Sequence, residues 1–85
     1  MNWTVVWQPF AIDGLADLWN AGPDRADVAW AANEIDRILA RDPSTKGESR
    51  ADDTRILICR PLAVYFRVQE QDCLVSVSAV WRWSP

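Results

Sequence analysis

A two-layer α+β sandwich, with a helical hairpin across one face of a small antiparallel sheet, is the fold this sequence predicts. Three observations predict it. The last third of the chain holds three short runs rich in β-branched and aromatic residues: Arg55-Ile-Leu-Ile-Cys-Arg60, Leu62-Ala-Val-Tyr-Phe-Arg67-Val and Cys73-Leu-Val-Ser-Val-Ser-Ala-Val-Trp-Arg82-Trp. Such runs read as strands. The joints between them, Arg60-Pro61 and Gln69 to Asp72, are too short for crossover helices, so the three strands form an antiparallel meander. Ahead of them lie two stretches with helical periodicity, and ahead of those an alternating segment, which gives the order β-α-α-β-β-β.

The alternating segment is Trp3-Thr-Val-Val-Trp7, with Trp3, Val5 and Trp7 on one face of a first strand. Pro9 opens a helix at its first turn, where a missing N–H costs nothing. Ile12, Leu15, Ala16 and Trp19 then follow the spacing of one buried stripe, Gly14 weakens the helix a little, and Asn20-Ala-Gly22-Pro23 stops it. Asp24 is placed as the N-cap of a second helix with Asp27 in its first turn. Val28, Ala31, Ala32, Ile35, Ile38 and Leu39 form the apolar stripe, and Asp42-Pro43 ends the helix. Trp30 lies nearly opposite that stripe, beside Glu34, Arg37 and Arg41, and is a candidate contact for a protein partner. Residues 44–53 are polar and without period, a loop long enough to be functional. With the helices intervening, the first strand runs along the sheet edge or beside the last strand.

Eighty-five residues make a single domain, 1–85, and an apolar fraction of 49% with six tryptophans supplies a core. No stretch reaches membrane-spanning length and no signal pattern opens the chain, so a cytoplasmic location with no membrane partner is expected. Cys59 and Cys73 fall two strand spacings apart, roughly 9–10 Å, too far for a bridge, and both are expected reduced. There is no histidine, which removes the usual general base and excludes Ser-His-Asp and Cys-His mechanisms; no metal site and no cofactor are expected. Net charge is −3, but residues 1–53 hold ten acids and five bases while residues 54–85 hold two acids and four arginines. The molecule is therefore polar, with an acidic helical side and a mildly basic sheet side.

Over nearly its whole length the chain resembles the RelE/ParE toxin superfamily of bacterial type II toxin–antitoxin systems, the plasmid-stabilisation-like toxins. The residues that carry the resemblance are Trp3-Thr-Val-Val-Trp7-Gln-Pro9, Leu15-Ala-Asp-Leu-Trp19, Ala32-Asn-Glu-Ile35-Asp36-Arg-Ile-Leu39 and Asp42-Pro43. Gly47-Glu48-Ser49-Arg50, Asp53-Thr-Arg55-Ile-Leu, Pro61-Leu-Ala-Val-Tyr65-Phe-Arg67-Val and Val75-Ser-Val-Ser-Ala-Val80 complete it. The resemblance implies a growth-inhibiting toxin neutralised by a cognate antitoxin in a hetero-oligomer. It implies either ribosome-dependent cleavage of messenger RNA, as by RelE-like members, or poisoning of DNA gyrase, as by ParE-like members. If an enzyme, the protein would be a metal-independent endoribonuclease; an alternative is a non-catalytic, degenerate toxin fold that only binds its antitoxin.

The candidate residues follow from both readings. Arg55, Arg67 and Arg82 are candidate catalytic or target-contacting cations, with Tyr65 as an auxiliary proton donor and Glu48 as a candidate carboxylate base. Arg82, between Trp81 and Trp83, offers a fork of donors beside aromatic rings, which suits a nucleotide. With Leu62, Val64, Phe66 and Val68 under the helices, Ala63, Tyr65 and Arg67 line the open face, joined by Ser76, Ser78 and Arg82 where the register permits. Lys46, Arg50 and Arg60 are further candidate target-binding residues, and Trp30 with the strand edges is the candidate antitoxin contact. The resemblance is incomplete at two points: Ala63 stands where RelE-like toxins carry an arginine, and the sequence ends at Pro85, before their C-terminal tyrosine region.

Overall fold

The computed structural model describes residues 3–43, 48–49 and 54–83. In chain order the elements are β1 (Thr4–Trp7), α1 (Pro9–Ala21), α2 (Arg25–Arg41), β2 (Glu48–Ser49), β3 (Thr54–Cys59), β4 (Leu62–Gln69) and β5 (Leu74–Arg82). They form one sheet in the order β1-β5-β4-β3-β2, with both helices on one face. The meander β3-β4-β5 is antiparallel as expected, closed by a turn at the cis Arg60–Pro61 bond and by a 3₁₀ turn over Glu70–Asp72. Cys73 leaves that turn in the left-handed region, at φ 48°.

The sheet differs from the expectation at both edges. β1 lies at the edge and beside the last strand, but it runs parallel to β5, so the sheet is mixed. A tight turn forces antiparallel pairing; two intervening helices lift that constraint. At the other edge, the stretch read as a loop contains β2, whose Glu48 and Ser49 pair with Ile56 and Arg55. Two residues are too few to show any hydrophobic period, so the sequence carried no sign of this strand.

α2 buries the predicted stripe: Val28, Ala31, Ile35 and Leu39 are fully buried, against Leu62, Val64, Phe66, Val75 and Val77 from the sheet. α1 does not. Ala11 is its buried residue, with Leu15 and Leu18 packed at the core margin, while Ile12 is 54% and Trp19 41% exposed. The helix is rotated because its small residues set the contact with β5. A methyl group on Gly14 would sit 3.3 Å from Val80 Cγ1, a separation tighter than most side-chain contacts. Gly14 therefore sets the close approach of α1 to β5.

Candidate target-binding face

Residues paired across a sheet share a face, so the register assigns every side chain. Phe66 pairs with Val77, Val68 with Val75 and Val64 with Val80, all on the helix side. Between Phe66 and Tyr65 on β4, however, β5 advances by two residues, because Tyr65 pairs with Ala79. Ser78 is the extra residue of a β-bulge, and it reverses the alternation of β5 from that point on. Before the bulge the even-numbered Ser76 faces out; after it the even-numbered Val80 and Arg82 face in.

This reversal corrects the sequence-based face. Ala63, Tyr65 and Arg67 do lie on the open side, and Ser76 joins them opposite Arg67. Arg82 does not: it pairs with buried Leu62 and points to the helix side. Arg55 also falls on that side, opposite Phe66, so the three arginines do not share a surface. Arg60 is exposed in the turn before Pro61. Lys46 and Arg50 lie outside the described residues, and of Glu48 only the backbone is described.

The open face has two halves. One is a polar depression of about 280 Å³ lined by Gln8, Thr54, Arg67, Gln69, Ser76 and Ser78. Arg67 is exposed, and its guanidinium has no hydrogen-bond or ion-pair partner among the described residues. Ser78 Oγ lies 3.5 Å from the carbonyl oxygen of Tyr65. The other half is aromatic and aliphatic. The rings of Tyr65 and Trp81 stand 4.7 Å apart at 49°, a tilted contact. Ala63, paired with Ile58 and Trp81, is fully buried although it faces outward, and Ile58 is 43% exposed. An exposed cation ringed by uncharged hydrogen-bonding side chains is suited to an anionic oxygen; the neighbouring rings suit a flat or apolar group.

On the opposite side of the molecule, α1 and α2 splay apart over an apolar groove of about 420 Å³. It is lined by Ile12, Leu15, Ala16, Trp19, Asn20, Val28, Ala29, Ala32 and Asn33. The stripe read from the sequence as core thus lines this groove. A competing stripe, Ala11, Gly14, Leu15 and Leu18, was present in the sequence and could have warned of it. Trp30 is 59% exposed, as expected, and stands outside the groove lining. Arg25 lies over the Trp19 ring, 4.5 Å from its centroid, a cation–π contact.

Asp24 holds the N-cap position of α2 but makes no side-chain cap bond, contrary to expectation. Its carboxylate instead accepts from both terminal nitrogens of Arg82, with Nη2 3.2 Å from Oδ1. The Arg82 hydrogen bond holds the Asp24 carboxyl below the usual carboxylate range. Arg37 does the same for Glu34, one helical turn away. Cys59 and Cys73 are both free thiols, and burial pushes Cys59 up. Among the described residues, no helix is long and apolar enough to cross a membrane.

The sequence matches no family profile and no curated protein. Solved structures do match. A chain of the RelBE2 toxin–antitoxin complex from Mycobacterium tuberculosis superposes with a TM-score of 0.80 at 19% identity, covering 98% of this chain and 100% of that one. A chain of the chromosomal ParDE system from P. aeruginosa gives 0.72 at 16% identity, over 96% and 97%. The isolated E. coli RelE toxin gives 0.68 at 10% identity, over 98% and 86%. At such identities the likeness speaks for architecture, and the architecture is unambiguous: this chain has the RelE/ParE toxin fold.

Proposed function

We propose that this chain is the toxin half of a type II toxin–antitoxin pair and that it acts by seating its target on the open face of the sheet. The observation that carries the reading is that face: an exposed Arg67, without a partner among the described residues, in a polar depression directly beside the Tyr65–Trp81 pair, in a toxin fold. Attack of a ribose 2′-hydroxyl on its own phosphate needs a base, stabilising cations and a donor to the leaving oxygen at one point. Here Arg55 and Arg82 lie on the far side of the sheet from Arg67 and Tyr65. That separation supports action by binding, of which gyrase poisoning is the form implied by the ParE resemblance, over cleavage of messenger RNA on the ribosome.

The cognate antitoxin, on this reading, covers the apolar groove between α1 and α2, where Ile12 and Trp19 are otherwise left to water, with exposed Trp30, outside the groove lining, as a separate contact. The deciding experiment is induced expression in a bacterial host, alone and with the product of the adjacent reading frame. Growth, transcript 5′ ends and plasmid supercoiling are followed together. Arrest with uncut messages and disturbed supercoiling is expected, relieved by the neighbouring product and weakened by Arg67→Ala. New in-frame cuts in translated messages would establish the endoribonuclease instead. No arrest at confirmed soluble expression would leave the antitoxin-binding, degenerate fold.

A further inference from the structure

The end of β5 is held by a contact that the core does not require. Arg82 reaches over the margin of the helix layer and donates to both carboxylate oxygens of Asp24, with Nη2 also 3.5 Å from the carbonyl oxygen of Leu18. Leu18 belongs to the last turn of α1 and Asp24 holds the N-cap position of α2. The cation therefore sits at the negative end of one helix dipole and the anion at the positive end of the next, both favourable placements. Gly22 keeps the corner open. A Cβ there would lie 3.0 Å from Asp24 Oδ1 and 3.4 Å from Arg82 Nη2.

The residues on either side of Arg82 show what the contact controls. Trp81 points the opposite way, onto the open face, where its ring meets Tyr65. The Trp83 N–H donates to the carbonyl oxygen of Pro61 at 2.9 Å, one of the last backbone bonds of the ladder. Trp81 and Arg82 occupy the last two pairs of the ladder, where few backbone bonds beyond them resist twisting. A bidentate guanidinium–carboxylate pair fixes that twist, because it sets both position and plane.

We propose that Arg82 is a positioning residue for the open face: by clipping the end of β5 to the corner between the helices, it holds Trp81 against Tyr65. Its guanidinium is committed on the helix side, so it acts on a target only through Trp81. The functional half of this inference rests on the reading of the open face given above; the structural half stands without it.

The test uses Arg82→Gln, Asp24→Asn and the charge-exchanged double variant Asp24→Arg with Arg82→Asp. Amide exchange at Trp81 and Trp83 and the Trp81 indole resonance, assigned with Trp81→Phe, report the clip. Growth arrest on induced expression reports function. Each single variant is expected to speed exchange at the strand end by roughly two- to fivefold, the scale of a partly exposed ion pair. Each should also move the Trp81 indole signal, leave the Trp7 indole bonded to Asp36 unmoved, and weaken arrest. The double variant should restore all three in part, since the exchanged charges re-form the pair but each then faces the unfavourable end of a helix dipole. An arginine that touched the target directly would not recover function with its charge reversed. The proposal is overturned if the Trp81 signal stays put in both single variants, or if the double variant restores that signal but not arrest. If the wild-type protein does not arrest growth, the toxin reading falls by itself, and exchange and indole data still decide the clip.

Discussion

Deleting Ser78 should leave the fold standing, whereas deleting Ser76, two residues earlier on the same strand, should come close to unfolding it. Ser78 is the surplus residue between the Phe66–Val77 and Tyr65–Ala79 pairs. Without it the two halves of β5 join into a continuous ladder, with Val75, Val77, Val80 and Arg82 still on the helix side. The loss is the local twist of the bulge and one weak contact to the Tyr65 carbonyl, together within ~1 kcal/mol. Deleting Ser76 absorbs the bulge instead. Val77 then moves to the open face opposite Arg67, and Ser78 turns into the core against Phe66, which is fully buried. Losing a buried valine and burying an unsatisfied hydroxyl amount to roughly 3–5 kcal/mol. Keeping the bulge and sliding the start of the strand would displace Cys73 from its left-handed turn and break the pairing of Thr4–Trp7. A domain of this size has about 4–13 kcal/mol to lose. In urea unfolding followed by circular dichroism, with a slope near ~1 kcal/mol per molar, the Ser76 deletion should lower the midpoint by roughly 3 M or more and the Ser78 deletion by ~1 M or less. Equal shifts, or the reverse order, would show that the bulge is not at Ser78.

Other outcomes follow from burial and charge. Phe66→Ala should cost about 3–5 kcal/mol in the same assay, while Trp30→Ala, at an exposed ring, should stay within ~0.5 kcal/mol and, on the proposed reading, weaken capture of the product of the adjacent reading frame. The Asp24 carboxyl is depressed by Arg82 in the folded state, so its contribution is present above the unfolded carboxylate pKa and is lost as pH falls through the lower folded value. The melting temperature of Asp24→Asn should therefore fall less steeply than that of the wild type below about pH 4, and parallel curves would contradict the pairing. Cys59, raised by burial, should react with a thiol reagent at pH 8 more slowly than free cysteine; an equal rate would mean that the β3 end is open to solvent.

Much of the architecture was legible in the sequence because hydrophobic period reports it directly. The helical stripe of α2, the alternation of β4 and the inward face of Trp3, Val5 and Trp7 all survive in the structure. What period cannot report is an interruption of itself. The spacing of three between Val77 and Val80 was the mark of the bulge. Read as unbroken alternation, it carried Arg82 to the wrong face. α1 misled for a related reason: where a helix packs through Ala11 and Gly14, its bulkiest residues are left for something other than the core. The polarity of β1 depends on how two helices cross the sheet, which no local pattern encodes.

The parallel pairing of β1 with β5 joins the first strand of the chain to the last. During synthesis, β1 and both helices leave the ribosome before residues 74–82 exist, and α1 makes its sheet contacts mainly with β5. The apolar sides of Trp3, Val5 and Trp7 then have nothing to close against until the final strand arrives, a long-range closure that is slow and aggregation-prone. A chain that stops short of β5 lacks the strand on which both β1 and α1 close. The open face, built where β4 and β5 pair, is therefore completed only when the last residues of β5 join the sheet.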